Sequence, residues 1–563
     1  MFSYYSNGFG YWFLVLWGLF PFILLGWLYL RPHFPLGRQL SRCVTALRRN
    51  QWVAMGTLFL VVLCANMLLA CIHYPQPRVH DEFAYQLAAD TYASGRLTNS
   101  THPFWQHFET FHVLSQPTRM AKYPPGTGLV LGAGQRLTGH SIFGFWFTLA
   151  AGVAALYWAL KVWVPSRWAF LGCLLIAINP YWLTNWGQTW WGGAVPFLAG
   201  TLLFGSMKRL VDQMKNLSLT SSILYSSTFS IAASMLAISR PFEGLIACVI
   251  CGFILIRRSL LNWDTVSKKV APLLVPPLLI GAAAISVIGW NNHVVTGNVT
   301  QMPYAVHSGR YSASTMWVFG TAPAIPEYRL PRMREFYVEW SRAIHERTRT
   351  LRGYFEMAPR KLKPCFDFYP LFGGVCLLPL IFMRRRDSWL RFCLVTSILI
   401  VGIHLLTNFS SVFPHYVAPF ACLFYVVAVH GLRCWHVASR WDKVAGYVVP
   451  AVVCWSLWRF VFLITFTFSQ IGTNTPRANV EQQLSEIEGD HLVFVHYPEG
   501  YSVHSEWVFN RADIDGSKIA WAHSLGENED QKLIEYFRDQ GRQVWRWDAL
   551  SDLKRVPLDE ASH

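Results

Sequence analysis

Residues 52–97 read WVAMGTLFLVVLCANMLLACIHYPQPRVHDEFAYQLAADTYASGRL. The stretch from Trp52 to Ile72 carries no charge and has the length a helix needs to cross about 30 Å of hydrocarbon. Two prolines then break the run, and His80-Asp81-Glu82 opens a second, more polar helical pattern. An uncharged crossing with adjacent carboxylates at its mouth is the reading from which the rest of the chain is organised.

Working outward, comparable apolar runs recur at Tyr11–Leu30, Val270–Trp290 and Trp389–Thr407. Only 14% of the chain is charged and 53% is hydrophobic, whereas a soluble chain carries about a quarter charged residues. The 26 Trp and 23 Tyr fit rings that favour the headgroup level at both interfaces. These features predict a mainly α, polytopic membrane protein of about a dozen transmembrane helices. The net charge of +16 does not call for nucleic acid as a partner. The basic residues gather in short gaps between apolar runs, at Arg31–Arg49, Lys208–Lys215, Arg257–Lys269, Arg384–Arg386 and Arg433–Lys443, which is the positive-inside pattern. Most cysteines lie inside apolar runs and the polar tail has none, so neither a disulfide framework nor a zinc site is expected.

Placing each basic cluster in the cytoplasm gives one consistent path. Residues 1–50 supply an extra N-terminal crossing at 11–30 and a basic cytoplasmic loop. Residues 51–470 form the main transmembrane domain, with outer loops at about 73–125 and 291–364. Its crossings fall near 52–72, 142–163, 167–183, 192–207, 219–238, 244–258, 270–290, 365–383, 389–407, 415–431 and 443–468. Pro124–Leu137 is apolar but short, and reads as a juxtamembrane or re-entrant helix. Residues 471–563 are polar and lie outside. Strand-like runs at Leu492–His496 and Lys518–Ala522, a helix near Asn528–Gln540 and a strand near Gln543–Trp547 suggest a small α/β domain.

The first outer loop holds the richest chemistry. Taken alone, Asp81 and Glu82 are two solvated acids at a helix mouth, but such a pair can also give a base and a hydrogen-bonding or metal-contacting partner. Downstream come His102, His107, Glu109 and His112, then Arg119, Lys122 and the stiff turn Tyr123-Pro124-Pro125-Gly126. Glu109 and His112 are three apart, so on a helix they would share a face and could hold a divalent metal ion. His307 is a third metal-ligand candidate, and Arg310 lies beside it. Arg240, in Ser239-Arg240-Pro241-Phe242-Glu243, is a basic residue on the outer side against the prevailing trend, which marks it as a phosphate-binding candidate. His415, in a further outer turn, is a weaker candidate. The four tryptophans of 179–191 could line a sugar or lipid groove or form an interfacial belt. The stretch Arg329–Lys363 is markedly basic, and suits either an amphipathic helix on anionic headgroups or a collector of an anionic acceptor or carrier.

An outer acidic pair followed about 40 residues later by Lys-Tyr-Pro-Pro-Gly resembles the GT-C membrane glycosyltransferases. The nearest look-alikes are the protein O-mannosyltransferases and the enzyme that adds aminoarabinose to lipid A. The resemblance implies a hexosyl- or pentosyltransferase that takes a sugar from a polyprenyl-phosphate donor and passes it to an envelope glycan, lipid or protein acceptor. It implies Asp81 as the base and Lys122 on the carrier phosphate; Glu82 is a supporting or metal-contact candidate, and Arg119, Arg240 and Arg310 are further candidates for the donor phosphate. It also implies a bacterial inner membrane, with the active site and C-terminus on the periplasmic side. In the aminoarabinose enzyme the lysine motif is Lys-Pro-Pro, whereas here Tyr123 intervenes. The β-trefoil insert of the O-mannosyltransferases has no counterpart, which disfavours a protein acceptor. The alternative class is a transporter or lipid flippase. That would place ionisable groups near the midplane of its helices, whereas here they gather at helix ends and in loops.

Overall fold

A computed structural model of the chain describes residues 50–216, 218–369, 374–381, 387–471, 475–548 and 554–555; the expected crossing at 11–30 lies outside them. Helix α1 (Gln51–Ile72) starts where the Asn50 side chain accepts from the Trp52 amide at 2.8 Å, a cap that satisfies one orphan donor of the first turn. Helix α2 (His80–Ala93) follows, then an irregular loop with a short antiparallel hairpin, β1 (Val113–Leu114) and β2 (Met120–Ala121). Helix α3 (Pro125–Thr138) has Pro125 in its first turn and ends at Gly139, whose φ of 82° is left-handed. This is the segment expected to be juxtamembrane. At 14 residues it is too short to cross, and it packs between α2 and α4 (Ile142–Leu160). The close α2–α3 approach depends on Gly128, where a Cβ would lie 2.7 Å from the Cβ of Ala88.

The longer helices that follow are α5 (Ser166–Ala177), α6 (Ala194–Gln213), α7 (Leu219–Ala237), α8 (Pro241–Leu261), α9 (Val270–Thr296), α10 (Pro303–Tyr311), α11 (Leu351–Phe368), α12 (Gly374–Ile381), α13 (Ser388–Leu405), α14 (Ala421–Ala438) and α15 (Lys443–Ile471). Among the described residues seven helices are long and apolar enough to cross a membrane: Gln51–Ile72, Ile142–Leu160, Ala194–Asn216, Pro241–Leu261, Trp263–Thr296, Ser388–Leu405 and Ala418–Ala438. The segment expected to cross at 219–238 is helical, but its serines lower its apolarity; Ser222, Ser226 and Ser230 each bond to the carbonyl four residues back. The core is built around α4, α6 and α14, with Trp146, Trp182, Trp186, Phe197 and Tyr425 fully buried. On α8 the residues Leu245, Val249, Phe253, Ile256 and Leu260 are 61–69% exposed in a single helical stripe. So large an apolar face is tolerable only against lipid.

After α15 come α16 (Pro476–Glu486), β3 (His491–His496), β4 (Ile519–His523), α17 (Glu527–Arg538), β5 (Gln543–Asp548) and β6 (Lys554–Arg555). The sheet order is β4-β3-β5-β6, with β3 parallel to both β4 and β5 and β6 antiparallel at the edge. One face of this sheet packs on α17 and on Phe108 from the first loop. The other carries Trp507, Trp521, Trp545 and Trp547. Loop and sheet therefore share a core, which the sequence pattern alone did not suggest.

Candidate active site

The acidic pair divides at the start of α2. Glu82 is buried and its carboxylate is wholly engaged by backbone donors. Its Oε2 accepts from the Arg78 and Val79 amides at 2.8 and 3.2 Å, and its Oε1 from the Trp190 amide at 3.1 Å. Burial pushes its carboxyl up to about 7, against those same hydrogen bonds. Glu82 thus caps the helix and ties it to the 179–191 segment. Asp81, one residue earlier, keeps its side chain 38% exposed. Tyr123 donates its hydroxyl proton to Asp81 Oδ1, and His112 Nε2 lies 3.8 Å from Oδ2.

Tyr123 reaches Asp81 because of the turn that follows it. Two prolines fix the chain direction. The Gly126 amide then donates to the Ile238 carbonyl at 2.6 Å, and a Cβ on Gly126 would lie 2.7 Å from that oxygen. The Tyr123 ring stacks on Tyr85 at 4.5 Å. Lys122 is held beneath the same surface, with Nζ 5.4 Å from the centre of the Tyr123 ring and 5.0 Å from that of Tyr304. Burial lowers the Lys122 ammonium to about 8, with Asp81 opposing the shift. Arg240 stands at the start of α8, 5.1 Å from the centre of the Tyr416 ring. Burial pushes the Tyr85 hydroxyl up to about 12, an effect that Arg240 opposes and Asp81 reinforces. His415 is likewise held well below its ordinary range by burial and Arg240, with Asp81 opposing. Asp81, Tyr123, Lys122, Tyr85, Tyr304, Arg240, Tyr416 and His415 therefore lie within electrostatic reach of one another.

A wall of imidazoles borders it. His112 adopts a left-handed φ of 62°, unusual for a residue with a Cβ. Burial, with Lys122 nearby, keeps it well below its usual range. Its ring centre is 5.4 Å from that of His80 and 6.1 Å from that of His307. His80 Nε2 bonds with the Val503 carbonyl at 2.8 Å and its ring stacks on His504 at 5.7 Å. The tail of the chain thus reaches the edge of the site.

The structure gathers Asp81, Lys122, Arg240, His112 and His307, and sends other candidates elsewhere. The expected helix bearing Glu109 and His112 does not form: the chain turns there from the one-turn helix Trp105–Phe108 into β1. Glu109 accepts from the Tyr311 hydroxyl at 2.6 Å, and the His307 Nε2 faces the Tyr337 hydroxyl at 3.5 Å. Among the described residues no three His, Cys, Asp or Glu side chains form a metal-binding group. Arg119 is buried and donates to the carbonyls of Asn510 and Arg511 at 2.8 and 2.7 Å. Arg310 is exposed, with Nη1 3.5 Å from the Gln116 carbonyl. Trp182, Trp186 and Trp190 are core residues rather than an interfacial belt or groove. Sequence reasoning missed the partners Tyr85, Tyr304, Tyr416, His80 and His504. Tyr85 had a signal, four residues from Asp81 on one helix, and His80 adjoins Asp81 on that helix; Tyr304, Tyr416 and His504 arrive from distant segments and had none.

The fold has relatives among solved structures. ArnT from Cupriavidus metallidurans bound to undecaprenyl phosphate superposes with a TM-score of 0.52 at 13% identity, over 88% of this chain and 93% of that one. The chain has the GT-C fold. The same enzyme in its apo state gives 0.48 at 12% identity, again over 88% and 93%. The Archaeoglobus fulgidus oligosaccharyltransferase in complex with Zn and sulfate gives 0.45 at 12% identity, over 77% of this chain and 60% of that one. The fold assignment rests on the first of these. No protein-family model matches the chain, and no curated protein matches it.

Proposed function

We propose that the GT-C chain is a membrane glycosyltransferase that moves a sugar from a polyprenyl-phosphate-linked donor to an acceptor hydroxyl or phosphate. The observation that carries this reading is the juxtaposition of a half-exposed carboxylate, Asp81, with two cations, the buried Lys122 and the half-buried Arg240, at the ends of apolar helices. Transfer from a phosphate-linked sugar needs a base for the incoming hydroxyl and positive charge for the phosphate that departs. Asp81 is the base, and its orientation is set by Tyr123. Lys122 and Arg240 hold the phosphate. Glu82 acts through Asp81, by fixing the first turn of α2. The ArnT structure with undecaprenyl phosphate bound supports a lipid carrier here.

The positive-inside pattern supports a topology of about 12 crossings, counting the segment at 11–30. It supports an outer placement of the cleft, the basic second loop and the C-terminal α/β unit, which in a bacterial inner membrane is the periplasmic side. Envelope glycans or lipids are the acceptors that reach this face. The test is sugar transfer by the purified, reconstituted chain with a panel of polyprenyl-phosphate sugars and crude envelope acceptors. Asp81→Asn should lower turnover by about 10²–10⁴-fold, the range for removal of a positioned base. Equal turnover by the variant removes the catalytic assignment. Movement of intact lipid without bond cleavage returns the reading to a flippase.

A further inference from the structure

Helix α11 belongs to the basic second loop, and its surface divides into three sectors at about 100° per residue. Gly353, Lys361, Cys365 and Phe368 form the buried sector. Leu351, Phe355 and Phe366 form an apolar sector that is 81, 69 and 60% exposed. Arg352, Arg360 and Lys363, with Glu356 and Asp367, form a charged sector on its far side. Arg349 adds another exposed cation just before the helix.

The level of this helix is set by its neighbours. Lys361 Nζ donates to the Thr407 carbonyl at 2.8 Å, and the Val412 amide donates to the Lys361 carbonyl at 2.8 Å. Thr407 and Val412 directly follow α13, one of the seven helices fit to cross a membrane. The bare apolar sector therefore stands where that crossing ends. Phe319, 68% exposed, stands at the same level, because the neighbouring Val318 amide donates to the Leu406 carbonyl at 3.0 Å. Other cations of this basic loop pair with carboxylates, Arg332 with Glu506, Arg334 with Glu339, Arg342 with Glu346 and Lys363 with Asp367; Arg352 shares Glu356 with Arg347, and its side chain is still 89% exposed.

We propose that α11 is an in-plane docking surface for anionic phospholipid, with Leu351, Phe355 and Phe366 at the acyl boundary and Arg349, Arg352 and Arg360 on the headgroups. An apolar strip flanked by basic residues at the end of a crossing is the pattern of an interfacial helix. The net positive flank selects anionic over zwitterionic headgroups. The same helix backs the 407–416 segment that carries His415 and Tyr416 into the cleft, so lipid contact bears on one wall of the site.

The test uses the full chain in nanodiscs of equimolar phosphatidylcholine and phosphatidylglycerol. A photoreactive p-benzoylphenylalanine replaces Leu351, Phe355 or Phe366 in turn, with Gln540 of the α/β unit as control, and adducts are read by mass spectrometry. Lipid adducts are expected at the three helix positions and not at 540. Phosphatidylglycerol should be enriched at least about fivefold, the factor that one surface cation supplies. The enrichment should fall to the bulk ratio when Arg349, Arg352 and Arg360 are changed together to Gln. Adducts to a second protein copy, or an absence of lipid adducts, overturn the docking surface. Enrichment that is absent, or that survives the triple change, overturns the anionic selectivity.

Discussion

Two adjacent carboxylates, Asp81 and Glu82, have opposite surroundings, and the difference separates chemistry from stability. Glu82 serves three backbone amides, so Glu82→Ala leaves buried donors unpaired at about 1–3 kcal/mol each and should lower the melting temperature in detergent. Asp81→Asn should leave that temperature near wild type while turnover falls. Tyr123→Phe removes the proton donated to Asp81 but keeps the stack on Tyr85, and should lower kcat with little change in donor KM. Equal losses in both parameters would instead make Tyr123 a binding residue. Lys122 gives the pH dependence its sign. Its ammonium lies near 8 in the free protein, so it is charged below that value and neutral above it. The apparent kcat/KM for the donor should fall as pH rises through about 8. Lys122→Arg, which stays charged, should abolish that limb in a pH–rate series. The lysine and its rigid Pro-Pro turn were legible in the sequence, because a cation on a fixed turn beside an apolar helix announces itself. Tyr123 was visible only as an interruption of a motif, and its partner is 42 residues away.

At the scale of elements, α2 carries Asp81 and α3 backs it. Gly128→Val would force the two apart, because the added atoms begin 2.7 Å from Ala88. It should cost about 1–3 kcal/mol and reduce activity through misplacement of Asp81, read as a lowered melting temperature together with lowered kcat. The apolar runs at 52–72, 142–163 and 389–407 gave helices close to their expected bounds, since length and hydropathy are local properties, whereas the crossing expected at 365–383 falls on the end of α11 and on α12. The Glu109–His112 segment did not become a helix. Its neighbours Phe108 and His107 are drawn onto the α/β unit, with Phe108 in the core of that sheet and His107 Nδ1 2.9 Å from the His523 carbonyl. No local pattern could report a core shared across about 400 residues of sequence.

For the whole molecule, the C-terminal unit is joined to the first loop by buried contacts. The strands and helix of that unit were legible from their alternation and amphipathicity. Its docking was not, because it rests on Arg119, His80 and Phe108, whose partners lie about 400 residues away in the sequence. Arg119→Met should unpair the carbonyls of Asn510 and Arg511 and loosen this joint. Hydrogen exchange should then quicken both in 491–523 and in 99–121; faster exchange in the tail alone would contradict a shared core. The exposed apolar stripe of α8 and the exposed apolar sector of α11 are the surfaces on which the proposed membrane setting rests. The central claim is that Asp81 drives bond transfer in this cleft. Its most direct test is single-turnover sugar transfer from a polyprenyl-phosphate donor by reconstituted wild type and Asp81→Asn, each saturated with donor. The account predicts donor binding by both and transfer only by wild type, at least about 100-fold faster. Transfer at equal rates would contradict it.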